Sequence, residues 1–578
     1  MNSQAEAFMA RLRAAVSTVR DLSRTSEWIC SRTTHPRDRT QPWSFKDHEM
    51  QIEIANCDAP KACTRKCSQV GLSELSVRIV LALLDIYPNS TAIYTLPTTG
   101  FARKFTKARI DTVIDGSDHL SSMLDPDNDS SELKQLGGSF LYISGSFGQG
   151  SAISVPADFL VRDEVDFSNQ VALSTYASRL GHAENGGITR DFSTPTVEGY
   201  GISEKFAKST QARYAVRCDH CSTWVAPGFL DDVVIPGYQD SILELDKSDL
   251  ENPKYRIGEA FLKCPSCHSP LTQANLCDPD KRQWVHAHEI GTKEYVGFQV
   301  EPFDVAAVNP VSKTLMSLSE YKKKADWVNF KVGLPYEDAE SSFLKEVITR
   351  NTTLSWLQPR ELAGSGFILG MDVGKVCHLV IGRRDKHYLD VVHAERIKQD
   401  DDDAIFKRVV ELLRMYGVSK AVVDAGPDFT TALKLIGHGY LNQVFACYYV
   451  RSTRASLANV DVKEVEQVIN ANRTGTIDEL AKTVNKGQMR FARMEEMSVI
   501  ASHLSNVKRI ETENGRGERV ASWVKTGDDH YAHALNYLHM ADSMLGFRGK
   551  HAPIAALPLI GKAQIKTEPE HVESQLLQ

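Results

Sequence analysis

No apolar run in the 578-residue chain is long enough to cross a bilayer, since a spanning helix takes about 20 consecutive apolar residues. Membrane insertion is therefore not expected. The opening stretch MNSQAEAFMARLRAAVSTVRDLSR lacks the apolar core and small-residue cleavage site of a secretory signal and reads as an amphipathic N-terminal helix over residues 1–24. A cytoplasmic location is the expectation. Basic charge is not in excess either, with 67 Lys+Arg against 74 Asp+Glu and a net charge of −7. A uniformly basic nucleic-acid coat is excluded, and any DNA contact has to come from local runs such as Arg103, Lys104, Lys107 and Arg109, or Lys322, Lys323 and Lys324. The alternative for those runs is a solvated helix face. The cysteines number eleven, an odd count without an export signal, which argues against a disulfide framework and for metal ligation or buried thiols. There is no internal repeat.

What is present is an ordinary globular composition, 42% apolar and 24% charged, in a chain too long for one hydrophobic core. Two large domains and a small one fit this length. Residues 76–87, SVRIVLALLDIY, predict a helix after the turn SQVGLS, and TAIYTLP at 91–97 predicts a strand. Further strands are expected at 139–144 and 158–162, the latter running into Asp163 and Glu164. Acids at the end of a buried strand stand where open α/β sheets place ligands. From about 215 to 275 regular periodicity fades, and VNFKVGLPYEDAE, beginning at 328, reads as a connector. From Phe367 three successive strands, a helix near 403–416 and a strand at 420–426 resemble the start of a ribonuclease-H-type sheet. The last stretch, 549–578, reads as a flexible tail.

Three constellations carry chemistry. The first is KCSQVGLSE at 66–74: a phosphate loop of the form G-x-x-x-x-G-K-[ST] needs backbone N–H groups, a lysine and a Mg²⁺-binding hydroxyl. Gly71 and Ser73 are in place, Leu72 holds the lysine position, and Lys66 at the other end of the loop can reach back over Ser68, Gln69 and Val70. Asp163 and Glu164 supply one carboxylate for the Mg²⁺ shell and a neighbour to orient or deprotonate water. Ser193, Thr194 and Pro195 are candidates for sensing the γ-phosphate. The simpler readings are a plain turn and a solvated acid pair.

The second is Cys218-x-x-Cys221 and Cys264-x-x-Cys267, with 42 residues between the inner cysteines. Four thiolates at this spacing suit a closed, structural Zn²⁺ site; Cys277 and His268 are bystanders. The third is Asp372 in ILGMDVG, Asp424 in AVVDAG, and Asp528 and Asp529 in GDDHYAHALNY, with His533 one turn from Asp529. Carboxylates from two strands and a helix can hold two divalent ions for phosphodiester hydrolysis. The alternatives are strand-end residues and a helix cap, Asp528 in particular.

Taken in order, KCSQVGLSE, YTLPTTGFARKFTKARI, LVRDEVD, STPTVEGYGI, CDHC, CPSC, FKVGLPYE, GMDVG, VVDAG and DDHYAHALNY resemble the large terminase subunits of tailed bacteriophages, specifically the lambda-like group with a cysteine-rich insertion. The resemblance covers roughly residues 25–545. It implies an α/β chain with a P-loop-type ATPase domain at 25–215, a zinc-ribbon-like insertion at 216–275, the ATPase remainder and connector at 276–365, and an RNase H-like nuclease domain at 366–548. It implies ATP-driven movement of double-stranded DNA into a procapsid and cutting of concatemeric DNA. Partners would be a small terminase subunit, the portal protein and further copies in a ring, in the host cytoplasm and transiently at the portal. ATP, Mg²⁺ (or Mn²⁺ at the nuclease) and Zn²⁺ would be the cofactors. By this likeness Lys66 is the displaced loop lysine, Asp163 takes the Mg²⁺ role and Glu164 the catalytic one. Asp372, Asp424 and Asp529 hold the nuclease metals with Asp528 as helper, and PWSFKDHEM at 42–50 contacts adenine through Trp43 or Phe45. Arg103, Arg109 and Arg179 are candidates for a trans-acting arginine. A repair helicase-nuclease and a zinc-bearing scaffold with a dead nucleotide fold are the competing readings.

Overall fold

The computed structural model describes residues 22–146, 155–183, 187–337, 342–354, 366–385, 387–398, 404–426, 430–438, 440, 443–450, 459–513 and 518–546. The expected helix over most of 1–24 and the expected tail lie outside them. Among the described residues no helix is long and apolar enough to cross a membrane.

The first half is built on an 11-stranded sheet. Its centre is parallel and runs, in spatial order, Ala212–Arg217, Val296–Val300, Lys61–Lys66, Ile188–Ser193, Phe159–Asp163, Thr91–Leu96 and Ser139–Gly145. Antiparallel strands extend both edges. Central parallel strands are covered on both faces, which is why TAIYTL and FLVRD read as continuous runs and not as alternations. The helix Leu72–Ile86 follows the first strand and buries Leu75, Val80 and Leu83 beneath the sheet. The expected helix and the strands at 91, 139 and 158 are all present within a residue or a few.

After Trp224–Val225, which pairs back onto Ala212–Arg217, the chain leaves this sheet until Arg282 and forms a small three-stranded one from Val233–Val234, Phe261–Lys263 and Pro270–Leu271. Its own core includes Phe229, Leu245 and Leu262 and continues into Trp327 and Val332. The stretch expected as a connector is thus partly core: Trp327–Val332 forms a buried π-helical turn. Its lack of 3.6-residue periodicity made it read as linker.

The second half carries an eight-stranded sheet. Phe367–Asp372, Val376–Asp385 and Tyr388–Lys398 pair antiparallel in succession, and after the helix Ala404–Tyr416 the strand Val418–Asp424 returns parallel to the first. This is the element sequence expected from the pattern. The helix His530–Gly546 crosses the first strand closely enough that a Cβ on Gly370 would sit 2.1 Å from the Ala534 carbonyl oxygen. Glycine at 370 is what permits that approach.

One charged cluster lies inside the first sheet. Arg162 and Asp191 are register neighbours on adjacent strands, joined by Arg162 Nη2 to Asp191 Oδ2 at 2.7 Å, and Lys205 adds a second contact at 2.7 Å. Burial works against the Asp191 charge, but the two cations prevail and hold its carboxyl at about 2. Asp191→Asn leaves two cations without their counter-charge in the interior, a loss expected to cost about 3–5 kcal/mol. A depressed carboxyl stabilises above its unfolded value, so the deficit of the variant in urea unfolding is full at neutral pH and shrinks as pH falls from about 4 toward 2.

Candidate active sites

The strand Lys61–Lys66 ends in a turn fixed by backbone bonds, Cys67 N to Val300 O at 3.1 Å and Ser68 N to Phe330 O at 2.7 Å. Gln69 and Gly71 take left-handed backbone, φ 61° and 76°, and the helix begins at Leu72. A Cβ on Gly71 would lie 2.7 Å from Gln51 Nε2, which donates to Val70 O at 2.9 Å. Both the backbone angle and this neighbour therefore call for glycine. Val70 and Leu72 point into the core, so these two loop residues can serve a ligand through backbone only. Ser68, Gln69 and Ser73 face a cavity of about 420 Å³ together with Lys66, Glu164 and Thr194.

Lys66 is 5% exposed and is the chemical centre of this cavity. Its Nζ lies 3.0 Å from Glu164 Oε1 and 3.9 Å from Asp163 Oδ1. Burial disfavours the ammonium, but the two carboxylates outweigh it and hold the lysine above its ordinary value. Burial also raises Glu164, against the pull of Lys66. Glu164 sits at φ 56°, a strained turn that ends the strand and aims the side chain at Lys66. Asp163 accepts from Tyr94 Oη at 3.3 Å, and Tyr94 Oη is in turn 2.7 Å from Ser76 Oγ on the first helix.

Asp166 was not singled out in the sequence, although the spacing of acids in LVRDEVD contains it. Its carboxylate accepts from Thr196 N and Thr196 Oγ1 at 2.8 Å each and from Ile202 N at 2.7 Å, while its own N–H donates to Ser193 Oγ at 3.1 Å. Burial lifts it to about 7 despite these donors. It ties the Glu164 turn to the 193–202 segment, in which Thr194 Oγ1 is buried without a hydrogen-bond partner.

In the segment expected to meet adenine, Trp43 lies under the Arg78 guanidinium at 3.8 Å and Phe45 is buried in the core. The contact with the loop comes from His48 within that segment and Gln51 just beyond it. Arg103 and Arg109 are ion-paired to Glu132 and Glu74. The far wall of the cavity is formed by Asn329, Phe330 and Tyr336, and by Arg509 to Thr512 of a hairpin that belongs to the second half. Lys323 bridges to Glu511 of that hairpin at 2.6 Å.

On the second sheet, Asp372 and Asp424 end neighbouring parallel strands. Asp372 Oδ2 meets His530 Nδ1 at 2.9 Å, and Asp424 Oδ1 accepts from Tyr537 Oη at 2.9 Å. Burial, helped by the Asp372 charge, pushes Asp424 up to about 6. Asp529, and not the exposed Asp528, directly precedes the helix, and its carbonyl accepts from Ala532 N at 2.9 Å. Its carboxylate contacts His533 Nε2 at 3.2 Å, and His533 Nδ1 lies 3.1 Å from Tyr449 Oη. Among the described residues, Asp372 shares a metal-competent group with His378 and His530, with ligand atoms all within 4.8 Å; Asp424 and Asp529 stand outside that group.

The four module cysteines do converge. Cys218 Sγ is 3.8 Å from Cys267 Sγ and Cys221 Sγ 3.9 Å from Cys264 Sγ, and all four lie within 4.8 Å. Tetrahedral Zn–S bonds of 2.3 Å demand S···S separations of about 3.8 Å. Cys277 is exposed and outside the group.

Residues 39–280 match the family model described as phage terminase large subunit gpA, ATPase domain. The match takes in the Lys66 loop, the Glu164 turn and both cysteine pairs. No curated protein matches the chain. Among solved structures it is similar to the large terminase of bacteriophage HK97, at 11% identity over 89% of this chain and 98% of that chain with a TM-score of 0.46. It is also similar to the large terminase of the thermophilic bacteriophage D6E, at 11% identity over 87% and 100% with a TM-score of 0.31. A third is the large terminase nuclease of thermophilic phage G20c with bound magnesium, at 17% identity over 35% and 97% with a TM-score of 0.24.

Gly71→Ala forces a side chain into the left-handed region and against Gln51, a strain of about 1–3 kcal/mol localised in the loop. In urea unfolding the variant is expected to lose stability by about that amount.

Proposed function

We propose that the chain is a large terminase subunit of the lambda-like group, an ATPase that moves double-stranded viral DNA into a procapsid and a metal-dependent endonuclease that cuts concatemeric DNA. The observation that carries this reading is Lys66. It stands at the strand end before a Gly71–Ser73 loop, in ion contact with Glu164 at 3.0 Å, inside the segment that matches the terminase ATPase model.

The cavity fits a nucleoside triphosphate. Loop N–H groups and the N-terminus of a 15-residue helix favour phosphate oxygens. Lys66 neutralises the outer phosphates by exchanging Glu164 for them, which frees Glu164 to orient water. Ser73 and Asp163 are the residues that would hold Mg²⁺, which supplies charge neutralisation on the phosphates. Thr194, held near Glu164 through the Asp166 network, reports the γ-phosphate to the 193–202 segment and hence to the second domain. Asp372 would hold the nuclease metals in an RNase H-like site, with Asp424 on the neighbouring strand and Asp529, helped by Asp528, supplying further acids from outside the close group around Asp372. The four cysteines fit a structural Zn²⁺ that stabilises the insertion and takes no part in catalysis.

Partners follow from the activity: double-stranded DNA, a small terminase subunit, the portal protein, and further copies of the chain in a ring, acting in the host cytoplasm and at the portal. DNA held by phosphate contacts alone would bind with a steep salt dependence.

Two substitutions separate the chemistries. Lys66→Ala is expected to lower ATP turnover about a hundredfold or more while DNA nicking with Mn²⁺ persists, and Asp372→Ala to do the reverse. Loss of both activities in one folded variant would contradict the two-site assignment. In a procapsid assay, DNA becomes nuclease-protected only with ATP and wild-type protein. Chelation of zinc lowers the thermal midpoint of the ATPase half and leaves the second domain's transition in place.

A further inference from the structure

The second domain places two imidazoles where only carboxylates were expected. Asp372 and His378 are direct register partners on adjacent antiparallel strands, so their side chains share one face of the sheet. His530, the first residue of the helix that Gly370 admits, contributes a third group, with its ring stacked on His378 at 4.6 Å and 12°. One carboxylate oxygen and one nitrogen from each ring lie within 4.8 Å of one another. His378 is 5% exposed, and its Nδ1 is buried with no hydrogen bond of good geometry. A buried imidazole nitrogen left unsatisfied carries a desolvation cost that a bound cation would remove. His503, the third ring nearby, is differently engaged, since its Nδ1 accepts from Tyr531 N at 3.2 Å.

We infer that Asp372, His378 and His530 form a two-imidazole, one-carboxylate site for a divalent first-row transition ion, selected over Mg²⁺ by its nitrogen ligands. Imidazole suits ions such as Co²⁺, Ni²⁺ and Zn²⁺; Mn²⁺ is harder but still accepts nitrogen more readily than Mg²⁺, which keeps to oxygen ligands and holds its water. Three protein ligands leave positions open for water or a phosphate oxygen. The site deepens the nuclease reading, on which its catalytic meaning rests, because Asp372 belongs to both.

Mn²⁺ is the probe, added to full-length protein whose cysteine site is left loaded, because a hard ion does not displace zinc from thiolates. Bound Mn²⁺ is counted by electron paramagnetic resonance, and pulsed measurements read the ¹⁴N coupling of coordinated imidazole. The wild type is expected to show that coupling and to retain Mn²⁺ against Mg²⁺ in about hundredfold excess. Half-exposed His530, replaced as His530→Ala without disturbing the core, weakens Mn²⁺ binding about tenfold or more and removes one nitrogen coupling. His378→Ala removes the other; if that buried change unfolds the domain, His530→Ala alone decides. Absence of nitrogen coupling in the wild type, or unchanged coupling and affinity in His530→Ala, would overturn the site and show the histidines to be packing only. Nitrogen-coupled Mn²⁺ in a protein that never cuts DNA would keep this site and remove the nuclease reading. Metal-dependent cutting by a protein that shows no nitrogen-coupled Mn²⁺ would keep the nuclease reading and remove this site.

Discussion

A buried lysine facing two carboxylates organises the first domain. Lys66 is almost fully enclosed, and an ammonium there is tolerable only with Glu164 and Asp163 beside it. That requirement explains the strained Glu164 turn, the placement of Asp163 at the last position of its strand, and the Asp166 clasp that fixes the turn from behind. The same enclosure leaves the cation poised: a phosphate group entering the cavity offers Lys66 a second anionic partner within a low-dielectric space. The ion pair is thus both a folding constraint and the element that a nucleotide would disturb.

The second domain depends on a steric permission of a different kind. Without a side chain at Gly370, the helix His530–Gly546 lies against the first strand, and this brings His530 to Asp372 and Tyr537 to Asp424. Charged and aromatic groups then crowd the ends of two strands. The hairpin Val507–Glu513 with Arg519–Lys525 extends from this domain and closes one wall of the Lys66 cavity, with Lys323 to Glu511 and Lys508 to Glu337 as ionic fasteners. The Lys66 cavity therefore has a wall made of side chains from both halves.

Much of this was legible in the sequence because the signals are local. Apolar runs ending in Gly or acid marked the strands, Gly71 and Ser73 marked the loop despite Leu72, and the paired C-x-x-C spacing marked the cysteine cluster. What was hidden is long-range. Nothing near Asp372 in sequence announces that strand register sets His378 opposite it, or that His530 arrives from a helix 158 residues on. Val328–Val332 read as linker because a π-helical turn has neither of the regular periods, yet Phe330 receives the Ser68 N–H. Trp43 and Phe45 have the chemistry to stack on a base; the fold sets Arg78 over the part-buried Trp43 and packs Phe45 into the core. Asp166 was in view inside LVRDEVD and lacked only the fold to reveal what it holds.

The central claim is that Lys66 is shared between Glu164 and a phosphate, and competition of that kind has a signature in binding. Affinity for a non-hydrolysable ATP analogue, measured by titration on Glu164→Gln, on a Lys66→Met variant and on the double variant, tests it most directly. Removing the Glu164 charge releases Lys66, so Glu164→Gln is predicted to bind the analogue more tightly than the wild type, and the gain to vanish when Lys66 is also replaced. Equal or weaker binding in Glu164→Gln, or a gain that survives loss of Lys66, would contradict the account.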